Sequence, residues 1–400
     1  MKQKLIRPYF TSLRVEATSK CNLGCKYCFA NSTMLERKEE DMSLLEVERL
    51  LDMARKSKIR KILWSGGEPF SRDDFIDVLR LSHGIKTSFV TNGESITREH
   101  LIEISKMSHV NRIRFSIDGF DGHDRVRKGS SWKNVLEKIR ICHEVNPCVS
   151  IVPQTTASSY TLDEIPELLS EVSKIGADRW RMFMLRFSGR ISRGSVDINS
   201  KYYSDYVSLM SEIATISRSN NLDLQIEVDG GFQSNLDQVL ETSSFPTVDG
   251  NTHPCQYLLH VLTIRSNGDI ASCPFFELEI GNISSYSTIE EIETHVPLIA
   301  WRNQKLSNLK NCEQCRYLNI CTGGCRKTAV DLLGSFYAED PVFCYMMPLI
   351  EERVWPQLSD AVQNHYKKLL NENGSIPQWT ANKLDAALDE FFSSDENYTK

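Results

Sequence analysis

The first half of the chain alternates between short apolar runs and longer amphipathic stretches. The short runs are rich in β-branched or aromatic residues, which favours strands over helices. They occupy six segments, 13–17, 61–65, 87–91, 112–117, 149–154 and 180–185. Helical periodicity fills the intervals at about 43–57, 73–82, 97–106, 131–144 and 161–175. Six strands that alternate with helices predict an α/β protein with a parallel sheet and right-handed crossovers.

Six strand–helix units are too few for a closed eight-stranded barrel, so a partial (β/α)6 TIM-like barrel and a doubly wound sheet both fit. The positions of the clustered cysteines and of the glycine-containing turns favour the barrel. Three cysteines lie within 21–28 after the first strand, and glycine-containing turns at 65–69, 91–93 and 116–119 follow the next three. Each turn alone would be ordinary turn chemistry. Together they mark the carboxyl ends of the strands, where barrel enzymes build their active sites.

The second half of the chain has a different pattern. Residues 260–273 read as a β-hairpin around an Asn-Gly turn, and helices are predicted at about 345–371 and 380–393. The arginine- and glycine-rich stretch 186–200 either reaches over the active site or forms a solvated loop. We therefore predict four regions: a barrel at 1–186, a bridge at 187–254, a small cysteine-rich domain at 255–345 and C-terminal helices at 346–400.

Composition narrows the possible functions. Apolar residues make up 40% of the 400 residues and charged residues 25%, as in ordinary globular proteins. The net charge of −6 lacks the basic excess of nucleic-acid-binding domains, so no nucleic-acid partner is expected. No apolar run approaches about 18 residues, so no membrane span is expected. The N-terminus lacks the apolar segment of a secretion signal, which predicts a cytoplasmic protein.

The twelve cysteines point to metal or redox chemistry, because a reducing compartment disfavours disulfides. Three lie at Cys21, Cys25 and Cys28, and no further Cys or His that would complete a zinc site lies between residues 1 and 82. Three thiolates on a four-iron cluster leave one iron open, as catalytic metal sites do. A zinc or iron–sulfur scaffold without activity is the non-enzyme alternative.

The spacing Cys-x₃-Cys-x₂-Cys, with Tyr27 before the last cysteine, resembles the signature of radical S-adenosylmethionine (SAM) enzymes. The resemblance implies that SAM chelates the open iron and is cleaved to a 5′-deoxyadenosyl radical, which abstracts a substrate hydrogen. It also implies a set of SAM-binding residues. They are Tyr27, Gly66, Gly67 and Glu68 (near the methionine amine), Asn92, Ser116 and Asp118 (near the ribose and carboxylate), and Arg127. No catalytic residue is assigned.

Seven downstream cysteines resemble the SPASM domain, an extension of radical SAM enzymes that binds auxiliary iron–sulfur clusters. The resemblance implies three iron–sulfur clusters, a [4Fe–4S] cluster of the radical SAM type and two auxiliary clusters that are also expected to be [4Fe–4S]. Cys312, Cys315, Cys321 and Cys344 would bind the outer auxiliary cluster, and Cys255, Cys273 and Cys325 the inner one. The sequence does not identify the fourth ligand of the inner cluster. His253 and Asp249 are candidates, and the position could also be vacant.

The resemblance favours a maturase that modifies a ribosomally made peptide, with a C–C, ether or thioether side-chain cross-link as the expected product. Its expected partners are a peptide substrate with a leader and an external electron donor such as flavodoxin or ferredoxin. A sulfatase-maturing enzyme and an oxidoreductase for a tetrapyrrole or another small molecule are the alternatives. In sulfatase-maturing relatives an aspartate base follows the cysteine matching Cys273. Here Pro274 follows, and the nearest carboxylate is Glu277.

Overall fold

The computed structural model describes residues 10–32, 40–191, 196–219, 224–234, 248–255, 257–271, 273–275 and 280–393. Eleven strands are found in this part of the chain. They are β1 (Ser12–Thr18), β2 (Gly24–Cys25), β3 (Lys61–Gly66), β4 (Lys86–Thr91), β5 (Val110–Ser116), β6 (Arg127–Lys128), β7 (Ser150–Thr156), β8 (Arg179–Phe183), β9 (Gln225–Val228), β10 (Val261–Ile264) and β11 (Ile270–Ala271).

The α-helices of the described residues fall into two groups. Those of the first half are α1 (Leu44–Lys56), α2 (Phe75–Leu81), α3 (Arg98–Ser105), α4 (Asp121–Val126), α5 (Trp132–Val145), α6 (Ile165–Lys174) and α7 (Ser200–Ser219). Those of the second half are α8 (Tyr257–His260), α9 (Ile289–Glu293), α10 (Val296–Arg302), α11 (Leu318–Cys321), α12 (Arg326–Leu333), α13 (Pro341–Arg353), α14 (Asp360–Leu369) and α15 (Ala381–Ser393).

Nine strands form one open sheet in the order β11-β10-β1-β3-β4-β5-β7-β8-β9. The six predicted strands occupy its centre in sequence order, and every pair among them is parallel. The α/β fold class with a parallel sheet is thus confirmed. The sheet is wider than six strands, because β9 joins β8 and β10 joins β1, both in parallel. The predicted hairpin, β10 and β11, is therefore part of this sheet's edge.

The two faces of the sheet differ in polarity. Along β1 the buried apolar residues Leu13, Val15 and Ala17 alternate with the polar residues Arg14 and Glu16. Successive side chains of a strand point to opposite faces, so the apolar residues share one face. They belong to the same hydrophobic core as the buried residues of α1 to α7. Arg14 and Glu16 share the opposite face, which is the inner face of the partial barrel.

The predicted helix at 345–371 is interrupted. Instead of one helix, α13 ends at Arg353, a short 3-10 helix covers Trp355–Gln357, and α14 begins after Ser359. Pro356 cannot donate the backbone hydrogen bond that a continuous α-helix needs there. Ser359 caps the new helix, because its side chain accepts the N–H of Val362.

The second half of the chain packs on the first through polar contacts. Arg265, after β10, forms an ion pair of 2.7 Å with Glu16 of β1. Ser57, at the end of α1, donates a hydrogen bond of 2.7 Å to Glu290 of α9. These contacts place the cysteine-rich segment beside the first strand. Among the described helices, none is long and apolar enough to cross a membrane.

Candidate active site

The cysteine loop, residues 21–28, follows β1 and brings its three thiols together. Cys21 and Cys25 are buried around Leu23, and Cys28 packs against the same small cluster. The pKa of Cys21 is raised to about 12, mainly by burial and to a smaller extent by the neighbouring thiols Cys25 and Cys28. The three thiols are therefore so close together that ionisation of one disfavours ionisation of the next. An iron cluster would supply the positive charge that stabilises all three as thiolates.

The ends of the next two strands of the large sheet, β3 and β4, hold this loop. A Cβ atom on Gly66 would overlap the carbonyl oxygen of Thr18, and one on Gly67 would overlap that of Lys20. Gly67 N donates to the Thr18 carbonyl and Glu68 N to the Lys20 carbonyl, both at 2.8 Å. The two glycines therefore let β3 end directly against the start of the cysteine loop. Both glycines approach the protein backbone closely, and their predicted contact with SAM stays a prediction.

Glu68 is buried and hydrogen-bonded at both oxygens. Its Oε1 accepts from Thr91 Oγ1 (2.8 Å) and Phe70 N (3.2 Å), and its Oε2 accepts from Asn92 N at 2.7 Å. Burial raises the pKa of Glu68 to about 7, although these bonds act in the opposite direction. The carboxyl group joins the ends of β3 and β4. Its pairing with the methionine amine stays a prediction.

Asn92 and Ser116 lie at the ends of β4 and β5. Asn92 Nδ2 donates to Asn22 Oδ1 at 2.8 Å, so the end of β4 also contacts the cysteine loop. Ser116 is half-buried and pairs with Gln154 of β7. The structure thus places both residues at the carboxyl ends of their strands, as predicted. Their contacts with SAM stay predictions.

Asp118, Arg127 and Tyr27 form a buried network behind Cys25. Asp118 accepts hydrogen bonds from Arg127 Nε (2.6 Å), Thr156 N (2.8 Å) and the Tyr27 hydroxyl. Burial alone would raise the pKa of Asp118, but the charge and hydrogen bonds of Arg127 hold it below its usual value. Arg127 Nη1 lies 4.0 Å from Cys25 Sγ. All three residues were predicted to bind SAM, and in the structure they support the cysteine loop.

Two residues that the sequence did not single out also hold this loop. Arg190 donates from Nη1 to the Cys25 carbonyl (2.9 Å) and from its backbone N to the Cys28 carbonyl (2.8 Å). A Cβ atom on Gly189 would overlap the carbonyl oxygens of Cys28 and Phe29. Both residues lie in the arginine- and glycine-rich stretch after β8. Its composition suggested a role near the site, but only the fold identifies which arginine reaches the loop.

The four-cysteine recess is a second cluster of thiols. Cys312, Cys315, Cys321 and Cys344 line one recess. Burial raises the pKa of all four thiols, and it raises that of Cys312 to about 11. For Cys344 the other three thiols add to the shift, which reflects their proximity. These are the four cysteines expected for the outer auxiliary cluster.

Two of the three cysteines expected for an inner cluster, Cys255 and Cys325, have different hydrogen-bond partners. Cys325 N donates to Asp340, which lines the four-cysteine recess. Cys255 N donates to His253 Nδ1 at 2.9 Å, and His253 Nε2 lies 2.9 Å from the Trp301 carbonyl. Both ring nitrogens of His253 are therefore engaged within the protein, which disfavours His253 as a fourth ligand.

Cys273 starts a segment that contacts the cysteine loop. Two residues on, the ring of Phe275 meets the ring of Phe29 at 5.3 Å. Asp249, the other suggested ligand, accepts hydrogen bonds from Asn251 and Thr252 within an exposed turn. Glu277 lies outside the described residues. The ligands of an inner cluster remain predictions.

The residues present fit iron–sulfur clusters and a polar cofactor. Three thiols share one buried loop and four share one recess. At the end of β3, Ser65 Oγ is buried without a hydrogen-bond partner in the described part of the chain, which suits a polar ligand. No group of three His, Cys, Asp or Glu among the described residues is arranged for a single metal ion. An iron–sulfur cluster is larger and holds its thiolates further apart.

Two models of known protein families match separate parts of this chain. Residues 15–172 match the model of the radical SAM superfamily. Residues 240–316 match the model of the SPASM iron–sulfur cluster-binding domain. The first match contains the cysteine loop and the strand ends that hold it, and the second contains part of the downstream cysteines.

The chain is also similar in sequence to curated enzymes. It is 24% identical to the AdoMet-dependent heme synthase of Oleidesulfovibrio alaskensis, over 82% of this chain and 86% of that protein. It is 26% identical to the AdoMet-dependent heme synthase of Nitratidesulfovibrio vulgaris, over 82% and 91%. It is 23% identical to the Fe-coproporphyrin III synthase of Methanosarcina barkeri, over 82% and 86%.

Two solved structures share the fold. AdoMet-bound anSMEcpe superposes with a TM-score of 0.68 at 19% identity, covering 90% of this chain and 99% of that one. Streptococcus suis SuiB, solved bound to the precursor peptide SuiA, superposes with a TM-score of 0.61 at 18% identity, covering 84% and 76%. These similarities establish a shared fold.

Proposed function

The chain is a radical SAM enzyme with a SPASM domain, and we propose that it oxidises a carbon–hydrogen bond of an organic substrate and passes an electron to an auxiliary cluster. The observation that supports this most directly is the four-cysteine recess. A cluster with four protein ligands has no open iron for SAM, so it suits electron transfer rather than SAM cleavage.

The chain's own residues would bind the cofactors and hold their geometry. Cys21, Cys25 and Cys28 would bind the radical SAM cluster. When bound, this cluster and SAM supply a 5′-deoxyadenosyl radical that removes a hydrogen atom from the substrate. Arg190 fixes the loop backbone from one side. The negative charge of Glu68, when ionised, would pair with the methionine ammonium.

A tetrapyrrole is the first candidate substrate. The heme and Fe-coproporphyrin III synthases match 82% of this chain, including both the barrel and the cysteine-rich segment. A tetrapyrrole was one of the alternatives that the sequence left open. The similarity of these relatives supports it over the peptide substrate that the sequence favoured.

A ribosomally made peptide is the second candidate, with a side-chain cross-link as the product. Its support is the fold shared with SuiB, which was solved bound to its precursor peptide. For this reaction an external electron donor and a leader-bearing substrate would be needed. At 18% identity the likeness concerns the fold, so this candidate ranks below the tetrapyrrole.

Sulfatase maturation is the least favoured alternative, although anSMEcpe shares the fold. Pro274 follows Cys273 and carries no group that can accept a proton. We therefore expect no conversion of a Cys- or Ser-type sulfatase peptide to formylglycine. Mass spectrometry that detects the aldehyde would reverse this ranking.

The test is anaerobic reconstitution with iron, sulfide and a reductant, followed by measurement of 5′-deoxyadenosine. The wild type should form it from SAM, whereas a chain without 5′-deoxyadenosine formation would contradict the proposal. Adding a tetrapyrrole should increase 5′-deoxyadenosine formation and change the mass of the tetrapyrrole. Stimulation only by a precursor peptide, with loss of two hydrogens, would instead favour the second candidate.

A further inference from the structure

Five arginines lie on the inner face of the sheet. This arginine face comprises Arg14 of β1, Arg112 and Arg114 of β5, and Arg179 and Arg181 of β8. Each alternates along its strand with buried apolar residues that face the helices. The face is thus on the side of the sheet away from the helical layer.

The register places the arginine face close to the reaction side. Arg181 pairs with Gln154 of β7, and Gln154 pairs with Ser116 at the end of β5. Arg181 is therefore level with Ser116, and Arg114 lies two residues deeper along β5. A substrate on this face would lie below the strand ends that hold the cysteine loop.

Too few carboxylates are available to neutralise the arginines. Glu227 of β9 forms ion pairs with Arg179 (3.6 Å) and Arg181 (3.3 Å). Glu16 of β1 is paired with Arg265. Asp178 acts on Arg112 only as a nearby negative charge, and its side chain accepts a hydrogen bond from Ser150 at 2.8 Å. Glu227 is thus shared by two arginines, and Glu16 is already engaged.

The remaining three arginines lack such partners. In the described part of the chain, Arg14, Arg112 and Arg114 form no ion pair, and the Nε atom of each is buried without a hydrogen-bond partner. The Arg14 guanidinium does lie over the Phe29 ring, 5.5 Å from its centroid. The pKa of Arg114 is lowered to about 10, mainly by burial and to a smaller extent by repulsion from Arg181, Arg112 and Arg14.

Arg14, Arg112 and Arg114 are half-buried, and a buried Nε without a partner is costly. A carboxylate is a natural partner because it matches the planar fork of arginine. Strands β1 and β5 are three positions apart in the sheet, which is about 14 Å along it. A molecule with several carboxylates can reach arginines on both of these strands. We propose that the arginine face binds a polycarboxylate substrate, whose separate carboxylates pair with Arg14, Arg112 and Arg114.

This inference rests on the proposed function, because it places the substrate of that reaction on the arginine face. The test uses the reconstituted full chain with SAM and equilibrium dialysis of coproporphyrin III, which has four carboxylates. Arg112→Gln and Arg114→Gln should each weaken binding at least tenfold, and Arg114→Lys should restore part of it. Arg140→Gln is the matched control, since Arg140 is exposed on α5 beside Glu137. It should bind as the wild type does.

Competition experiments distinguish a site for carboxylates from a site for phosphates. Butane-1,2,3,4-tetracarboxylate should displace coproporphyrin III, and a tetracationic porphyrin should not bind. Stronger displacement by pyrophosphate than by the tetracarboxylate would mean a phosphate site and would overturn the proposal. So would unchanged affinity in both glutamine variants, or a wild type that binds neither tetracarboxylate.

The two proposals fail in different ways. A wild type that forms 5′-deoxyadenosine but binds no tetracarboxylate contradicts only the arginine face. A wild type that binds coproporphyrin III but never forms 5′-deoxyadenosine contradicts only the proposed reaction.

Thermal unfolding of Arg114→Met checks whether Arg114 serves the fold instead. An unpaired buried charge destabilises the ligand-free protein, so this variant should melt at the same temperature as the wild type or higher. It should also lose the rise in melting temperature that coproporphyrin III causes in the wild type. A variant that melts well below Arg140→Gln would show that the fold needs this guanidinium, and would overturn the assignment.

Discussion

The cysteine loop and the four-cysteine recess hold their thiols in different ways. The loop takes three thiols from consecutive residues 21–28, and other strand ends hold it in place through Gly67, Arg127 and Arg190. The recess takes four thiols from residues spread between 312 and 344, and its own helices surround it. The loop thus depends on the whole barrel, whereas the recess is largely local.

This difference matches the chemistry expected of each site. A cluster with an open iron must be aligned with SAM and substrate, and alignment needs residues from several strands. A cluster with four ligands needs only to be enclosed and close enough for electron transfer. Asp340 illustrates the local solution: it caps α13 through Val342 N and also accepts the N–H of Cys325. Mutations should therefore affect the two regions differently.

The largest expected effect is on SAM cleavage. Replacing Cys21, Cys25 or Cys28 with Ala should abolish 5′-deoxyadenosine formation, because two thiolates cannot replace the three that leave one iron open. Downstream iron should remain bound. Cys148→Ala is the control, because Cys148 is exposed and lies outside both thiol clusters. Wild-type rates of cleavage in any of the three loop variants would contradict the assignment.

The next prediction tests how the barrel holds the loop. Gly67→Ala forces the cysteine loop away from β3, because the new Cβ would overlap the Lys20 carbonyl oxygen. We expect a loss of about a hundredfold in 5′-deoxyadenosine formation, as a shift of about 1 Å can cause. In the matched control Gly250→Ala, the new Cβ lies 3.5 Å from Ser307 Cβ, an ordinary contact. Equal rates in both variants would show that the loop position is not limiting.

The recess should instead affect product formation. Cys344→Ala should lower the iron content by up to about four atoms per chain, if the outer cluster is a four-iron cubane. It should reduce the yield of oxidised substrate more than that of 5′-deoxyadenosine, because the electron exit is lost. Iron analysis and product quantification on one sample give this ratio, with Cys148→Ala as the control. A parallel fall of both products would argue against a role in electron transfer.

The sequence predicted the parts of these sites that are local. The cysteine spacing identified both thiol clusters, and the strand pattern placed all six central strands within a few residues. It could not predict that Glu68 contacts Asn92 or that Asp118 contacts Tyr27, because these partners lie 24 and 91 residues away along the chain. Arg190 was one of several arginines in its stretch, and only the three-dimensional path of the chain selects it.

Stability should respond strongly to the network behind Cys25. Asp118→Asn leaves the buried Arg127 guanidinium without its counter-charge, and breaking such a pair costs about 3–5 kcal/mol. Urea unfolding should show this loss, and the double variant Asp118→Asn/Arg127→Met should recover part of it. Glu137→Gln, in the exposed pair with Arg140, should change stability by less than about 0.5 kcal/mol. Similar small losses at both pairs would show that the network is not structural.

The smallest expected effect is a pH dependence from Glu68. Its pKa is raised by burial from 4.5 to about 7, so the folded chain holds a proton there that the unfolded chain has released. This contribution to stability is complete below about pH 4.5 and is lost as the pH rises to about 7. From the shift, the loss is at most about 3 kcal/mol.

The measurement compares urea unfolding of the cluster-free wild type and Glu68→Gln between pH 5 and pH 8. The wild type should lose more stability over this range than the variant, whose amide does not titrate. SAM added to the reconstituted wild type should reduce the dependence, because a nearby ammonium favours the ionised carboxylate. Identical slopes without SAM would show that Glu68 is not the titrating group. An unchanged slope with SAM would place the methionine ammonium away from Glu68, and the cysteine loop would then depend on Glu68 only through the strand ends it joins.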